Sequence, residues 1–211
     1  MDNVLSCPEV ARTIVVVPPD HLPAARALLT EHERGHAQVV PGGADRTASV
    51  RLGLAHLTDD DGLVLVHDAA RCLAPGSLFT DVVNAIRQGH GAVVPGVPVI
   101  DTVKEIDAAG KVVATLDRAR LRAIQTPQGF VREVLVHAHT HARDAGLDVT
   151  DDASLVEASG APVLVIPGHP LAEKITTVAD LRTAELMLAA SSGGSAPDRV
   201  EQRRAVNGDP R

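Results

Sequence analysis

Short runs of β-branched residues alternate with stretches of helical apolar spacing along most of this chain, and no other feature narrows its fold as much. Thr13-Ile14-Val15-Val16-Val17 is one such run, ended by Pro18-Pro19. Asp20, a residue suited to capping, precedes Leu22, Ala25, Leu28 and Leu29 at helical spacing. Val39-Val40 is a second strand, broken by Pro41-Gly42-Gly43, and Val50, Leu54 and Leu57 predict a helix over residues 47–57. The pattern repeats with a strand at Val64-Leu65-Val66, a helix through Leu78, Val82, Val83 and Ile86, and a strand at Ala92-Val93-Val94-Pro95. Further on it predicts helices over 131–145 and from Asp151-Asp152 through Val156. Strands at Val163-Leu164-Val165-Ile166 and Lys174-Ile175-Thr176 follow, then a final helix over 179–190. Strands separated by helices need crossover connections, which gives an α/β fold with a mostly parallel sheet. Residues 97–116 depart from this rule. Their short alternating runs around Ala108-Ala109-Gly110 predict a hairpin projecting from the sheet. Residues 191–211 are polar, without apolar period, and read as a disordered tail after one domain over 1–190.

Composition removes several classes of function. At 211 residues and 45% hydrophobic, the chain suits one α/β domain with a sizeable core. It has no Trp or Tyr and two Phe, Phe79 and Phe130, so it lacks platforms for stacking nucleic-acid bases. A net charge of -7 also argues against gripping a phosphate backbone. Any phosphate it handles should meet a local basic pocket. Cys7 and Cys72 have no metal-type spacing and fit a reducing cytoplasm. No apolar run is long enough for a membrane span, and Met1-Asp2-Asn3 does not open a signal peptide.

The chemistry begins at His67-Asp68-Ala69-Ala70-Arg71, where the Val64 strand ends in an acid and, three residues on, a guanidinium. Open α/β sheets bind ligands at that edge, where an acid can hold Mg²⁺ and an arginine can grip a phosphate. As an isolated pair, these residues could equally form a surface salt bridge. Gly42-Gly43-Ala44-Asp45-Arg46-Thr47-Ala48-Ser49 joins a strand to a helix, so its backbone amides can approach a ligand closely. Gln125-Thr126-Pro127-Gln128 is a polar kink in which Thr126 could donate to a phosphate. Thr150-Asp151-Asp152 puts two acids at a helix start, for which capping is a sufficient explanation. His137 and His141 share a helix face while His139 points elsewhere, and no nearby acid completes a metal site.

Taken in order and spacing, these segments resemble the 2-C-methyl-D-erythritol 4-phosphate cytidylyltransferase family. The residues that carry the likeness are Gly42 to Val50, Val66 to Arg71, Asp101-Thr102-Val103-Lys104, Asp117-Arg118, Gln125 to Gln128, Thr150 to Glu157 and Lys174-Ile175-Thr176. The resemblance implies a Rossmann-like nucleotidyltransferase sheet and a homodimer joined through the arm, about residues 98–120. It implies that Gly43, Ala44 and Ser49 hold the cytidine of CTP, that Asp68 lies near Mg²⁺ and that Arg71 lies at the reaction centre. Thr102 and Arg118 would reach the partner subunit's site and bind the methylerythritol phosphate, with Thr126 and Thr150 as further substrate contacts. Lys174 would stabilise charge at the α-phosphate, leaving Lys174, Arg118 and Asp68 as the catalytic set. The implied reaction is in-line attack of a substrate phosphate oxygen on the α-phosphorus of CTP, with pyrophosphate leaving. Positioning and charge stabilisation would carry it, without a side-chain nucleophile.

The family's opening strand and its glycine-rich loop, of the type P-A-A-G-x-G-x-R, have no counterpart in this sequence. The expectation is therefore an upstream start or a truncated, inactive product, with the strands beside that position left without ladder partners. Two other readings keep the fold: a cytidylyltransferase for another alditol phosphate such as ribitol 5-phosphate, and a non-catalytic dimer partner.

Overall fold

The computed structural model describes residues 1–192 apart from Asp59 and Asp148. The tail expected over 191–211 therefore lies, from residue 193 on, outside the described residues. One helical turn, α1 (Asp2–Leu5), precedes β1 (Thr13–Val17), whose β-branched residues favour extended backbone. A 3₁₀ turn at Pro19–His21, α2 (Leu22–Leu28) and α3 (Glu31–His36) form the crossover to β2 (Ala37–Pro41). β2 runs parallel to β1, from Thr13 opposite Ala37 to Val17 opposite Pro41. Asp20 lies inside the 3₁₀ turn and makes no cap, contrary to the expectation for it. Helix α3, which apolar spacing did not predict, is nucleated by a capping box. The Thr30 hydroxyl accepts from the Glu33 amide, and the Glu33 carboxylate accepts from the Thr30 amide at 2.7 Å.

Helix α4 (Arg46–Leu54), capped by Asp45, leads to β3 (Leu63–Val66), and α5 (Gly76–Arg87) leads to β4 (Ala92–Pro98). A hairpin of β5 (Lys104–Ile106) and β6 (Val112–Thr115) follows, then β7 (Arg122–Ile124) and β8 (Gln128–Val131). Helices α6 (Arg132–Ala145) and α7 (Asp152–Ala158) precede β9 (Leu164–Pro167). β4 is central. One edge pairs antiparallel with β8 and then β7, and the other pairs parallel with β9. β8 also pairs antiparallel with β3, so β3, β4 and β9 share one direction.

The sheet is thus mixed and not mostly parallel. β7 and β8 return directly from the hairpin without a helical crossover, so they run back against β4. Among the described residues, β1 and β2 form a two-stranded sheet of their own, and β3 joins the five-stranded sheet through β8 alone. Lys174-Ile175-Thr176, expected as a strand, is not one: Lys174 follows a 3₁₀ turn at Pro170–Ala172 in an unpaired extended stretch.

Helix α5 turns Leu78, Phe79, Val82, Val83 and Ile86 inward, all buried. It lies so close to β8 that a Cβ on Gly129 would stand 2.3 Å from Val82 Cγ1 and 2.7 Å from Ile86 Cδ1. Only glycine admits that approach. On the other side, Phe130, Leu135, Leu155 and Val156 form a cluster that locks α6 and α7 to the strands. Fully burying side chains of this size contributes about 1.5–3 kcal/mol each. The hairpin is built oppositely: Ile106, Val112 and Val113 are all about 60% exposed (60%, 59% and 62%), and Ile100 at its base is exposed too. Residues from Ile175 on form a second unit, in which α8 (Val178–Ser192) is started by Asp180 accepting from the Thr176 and Thr177 amides. None of the described helices is long and apolar enough to cross a membrane.

Candidate active site

The apolar residues Val64 and Val66 anchor β3 in the core and deliver His67 and Asp68 at its carboxyl end. A tight turn, with the Arg71 amide donating to the Asp68 carbonyl at 2.9 Å, brings Arg71 back beside the acid. Asp68 is where the site's cations meet. Lys174 Nζ lies 3.1 Å from Asp68 Oδ2, Arg46 Nε 3.2 Å from Oδ1, and Arg71 Nε 4.0 Å from Oδ2. Burial opposes ionisation of Asp68, but Lys174 and Arg46 outweigh it and hold its carboxyl below the ordinary carboxylate value.

Arg71 also ties the loop to its surroundings, donating to the Ala172 carbonyl at 2.8 Å and the Ile124 carbonyl at 3.3 Å. Burial lowers its pKa from the ordinary value. Arg46 does more than touch Asp68: its Nη1 donates to Asp152 Oδ2 at 2.7 Å. Burial alone would weaken the Arg46 guanidinium's hold on its proton, but Asp152 and Asp68 offset this and its pKa is raised. Asp152 has no solvent exposure, and its other oxygen sits 2.9 Å from His139 Nε2, also buried.

Gln125-Thr126-Pro127-Gln128 joins three segments of the site. Gln125 clamps the His169 backbone in both directions: its amide nitrogen donates to the carbonyl at 3.0 Å and its oxygen accepts from the amide at 2.9 Å. Thr126 Oγ1 accepts from the Asp68 amide at 3.0 Å and shares a second hydrogen bond, of 3.0 Å, with His67 Nδ1. Gln128 donates to Asp151 Oδ2 at 2.7 Å and accepts from the Ala153 amide at 3.1 Å. The peptide between Thr126 and Pro127 is cis. All three polar side chains are buried. This segment therefore fixes the loops carrying Asp68, Asp152 and the approach to Lys174 relative to one another. His67 packs on Phe79, with ring centroids 4.9 Å apart, and burial pushes its pKa down to about 4.

Gly43, Ala44 and Ser49 form one turn at the start of α4. The Gly43 amide donates to Ser49 Oγ at 3.1 Å, and a Cβ on Gly43 would meet Ala48 Cβ at 2.6 Å. The structure thus brings Asp68, Arg71 and Lys174 together, with Thr126 directly behind Asp68. It does not bring Arg118 to them: Arg118 donates to the Ile100 carbonyl at the base of the hairpin. Thr102 is exposed just before β5, and Thr150 is exposed just before the Asp151 cap of α7. Sequence reasoning assigned no role to Arg46, His67, Gln125, Gln128 or His139, and gave Asp152 only a share in capping. One signal was available: a helix start needs one capping acid, and Asp151 supplies it by accepting from the Ser154 amide at 3.0 Å, so Asp152 was surplus.

An α/β sheet whose strand ends gather one acid and three cations, beside a glycine turn at a helix start, defines a Rossmann-like nucleotidyltransferase fold. The comparisons narrow the class. The family model described as "IspD: 2-C-methyl-D-erythritol 4-phosphate cytidylyltransferase" matches residues 1–190, and the chain belongs to that family. A relative of that name from Saccharopolyspora erythraea is 51% identical over 183 residues, covering 85% of this chain and 80% of that protein. Another from Nocardia farcinica is 51% identical over 188 residues, covering 89% and 79%. The crystal structure of 4-diphosphocytidyl-2C-methyl-D-erythritol synthase from Anaerococcus prevotii superposes with a TM-score of 0.83 at 32% identity, covering 89% of this chain and 86% of that one. The structure of the cytidylyltransferase from Thermus thermophilus gives 0.72 at 37% identity, covering 85% and 82%.

Proposed function

We propose that this chain transfers the cytidylyl group of CTP to 2-C-methyl-D-erythritol 4-phosphate and releases pyrophosphate. The observation that carries the reading is Asp68 held among Lys174, Arg46 and Arg71 at the carboxyl end of β3. A phosphate oxygen of the acceptor attacks the α-phosphorus in line, and the developing charge on the phosphoryl oxygens is met by Lys174, whose half-exposed ammonium is free to turn from Asp68 to a ligand. Arg71 holds the loop so that Asp68 stays at the phosphate end. The turn of Gly43, Ala44 and Ser49, one helical turn from Arg46, is suited to the cytidine. Thr126 supports Asp68 from behind, and Thr150 stands at the rim.

Mg²⁺ fits Asp68 as a protein ligand. The ion is commonly held by one or two carboxylates together with substrate phosphates, and the described residues contain no group of three or more potential metal-binding side chains to cage it alone. When bound it neutralises charge on the triphosphate. The acceptor side of the site belongs to the arm. Exposed Ile100, Ile106, Val112 and Val113 favour burial against a second copy, and a homodimer so formed would carry Thr102 and Arg118 to the partner's site. A cytoplasmic setting is part of the same proposal, supported by two free thiols, Cys7 and Cys72.

The test is pyrophosphate release by the purified chain with CTP, Mg²⁺ and either methylerythritol 4-phosphate or ribitol 5-phosphate, with the nucleotide product identified by mass. Release dependent on methylerythritol phosphate is expected. Product from ribitol 5-phosphate alone would transfer the reading to another alditol, and CTP binding without any release would favour a non-catalytic dimer partner.

A further inference from the structure

We propose that Asp152 is a positioning residue of this site: pinned by His139, it fixes the Arg46 guanidinium against Asp68. The inference rests on the transfer reaction proposed above. Asp152 lies at the first turn of α7, where the helix start is already satisfied by Asp151. Its two carboxylate oxygens face two different side chains, Arg46 from α4 and His139 from α6. Arg46 and Asp152 are 106 positions apart in sequence. A buried carboxylate is costly even when paired, and an apolar side chain of similar volume often serves stability as well or better. Stability alone therefore gives no reason for this acid at a fully buried position.

Geometry supplies one. The guanidinium is a rigid plane, and Arg46 presents Nη1 to Asp152 and Nε to Asp68. Two carboxylates on two nitrogens of one plane leave it a single orientation. The Asp68 carboxylate, fixed on its other oxygen by Lys174, then has its direction set before any ligand arrives. His139 completes the arrangement from behind. With Asp152 ionised, Nε2 carries the hydrogen and donates to Oδ1, which prevents the carboxylate from rotating away from Arg46.

The inference is tested by pyrophosphate-release kinetics on Asp152→Asn, His139→Leu, His139→Gln, Arg46→Ala and the Arg46→Ala/Asp152→Asn double variant. Each is assayed well below its melting temperature. Supporting groups of this kind are typically worth 10–100-fold in activity. Asp152→Asn and His139→Leu are expected to lower kcat by about that factor, with KM for CTP changed less than about threefold. His139→Gln, whose amide can still donate to Asp152, is expected to recover most of the loss. The double variant should be no slower than Arg46→Ala alone. Wild-type kcat in Asp152→Asn, or losses that multiply in the double variant, would overturn the proposal. Should Asp152→Asn fail to fold, the contrast between His139→Gln and His139→Leu decides: equal kcat in the two overturns it.

A wild-type chain with no turnover would defeat the function reading by itself. The positioning then rests on the Arg46 Nε–H resonance in ¹⁵N spectra. A distinct, slowly exchanging signal that is lost in His139→Leu supports it, and a signal unchanged by the substitution refutes it.

Discussion

Lowering the pH from 7.5 to 5 is expected to destabilise the protein through His67. Burial against Phe79 depresses the imidazole to about 4 from an ordinary 6.5, although the Arg71 backbone and the Asp68 carboxylate pull the other way. The fold therefore prefers neutral His67, and between those two values the unfolded chain holds the extra proton. Stability from this group is complete above pH 6.5 and is lost as the pH falls toward 4. At about 1.36 kcal/mol per pH unit across that gap, roughly 2 kcal/mol is gone by pH 5. Asp61, Asp68 and Asp151 are held below the ordinary carboxylate value and stay ionised in the fold over this range. Urea unfolding at pH 7.5, 6 and 5 reads the loss directly. With a slope of about 2 kcal/mol/M, the midpoint should drop by about 1 M. His67→Asn keeps a polar group near Nδ1 to bond the Thr126 hydroxyl but cannot titrate, so its midpoint should vary much less over the same range. Equal pH dependence in wild type and His67→Asn would refute the assignment.

Three further outcomes are expected. Lys174→Met should lower kcat for pyrophosphate release by about 10²–10³-fold, the usual loss for one group that stabilises developing charge; its unfolding midpoint should stay put, since the ammonium is half exposed. Gly129→Ala drives a methyl into Val82 and Ile86 and should cost about 1–3 kcal/mol in urea unfolding. Ile106→Asp combined with Val113→Asp removes the exposed apolar face of the hairpin, and sedimentation is expected to show dimers for the unchanged protein and monomers for this variant.

Strand and helix positions were legible wherever local pattern and tertiary role coincide. Val64 to Val66 reads as a strand because it is one, half-buried against the core, and it brings Asp68 to the sheet edge where Thr126, Arg46 and Lys174 then hold it. β8 was not legible. Gln128-Gly129-Phe130 carries no β-branched alternation, and Gln128 enters the interior only because Asp151 and the Ala153 amide await it there. Thr126 illustrates the same limit. Its hydroxyl could be foreseen as a donor, but that it serves His67 and Asp68 depends on a residue 58 positions away. Lys174 looked like a strand residue because Ile175 and Thr176 are β-branched, yet the Thr176 amide is drawn to Asp180 and no ladder forms. Helix α3 shows the converse, since its short apolar record was weaker than its Thr30–Glu33 box. The surplus acid Asp152 is the clearest case of a partner-dependent residue, since Arg46 and His139 become its neighbours only after the chain has folded.

The Asp68 cluster draws on the glycine turn, the end of β3, the start of α7 and the segment after β9. During synthesis, the cluster cannot be complete until Lys174 has left the ribosome and the polypeptide before it has collapsed. A chain halted before Lys174 therefore holds the acid and Arg46 without the ammonium that completes the cluster.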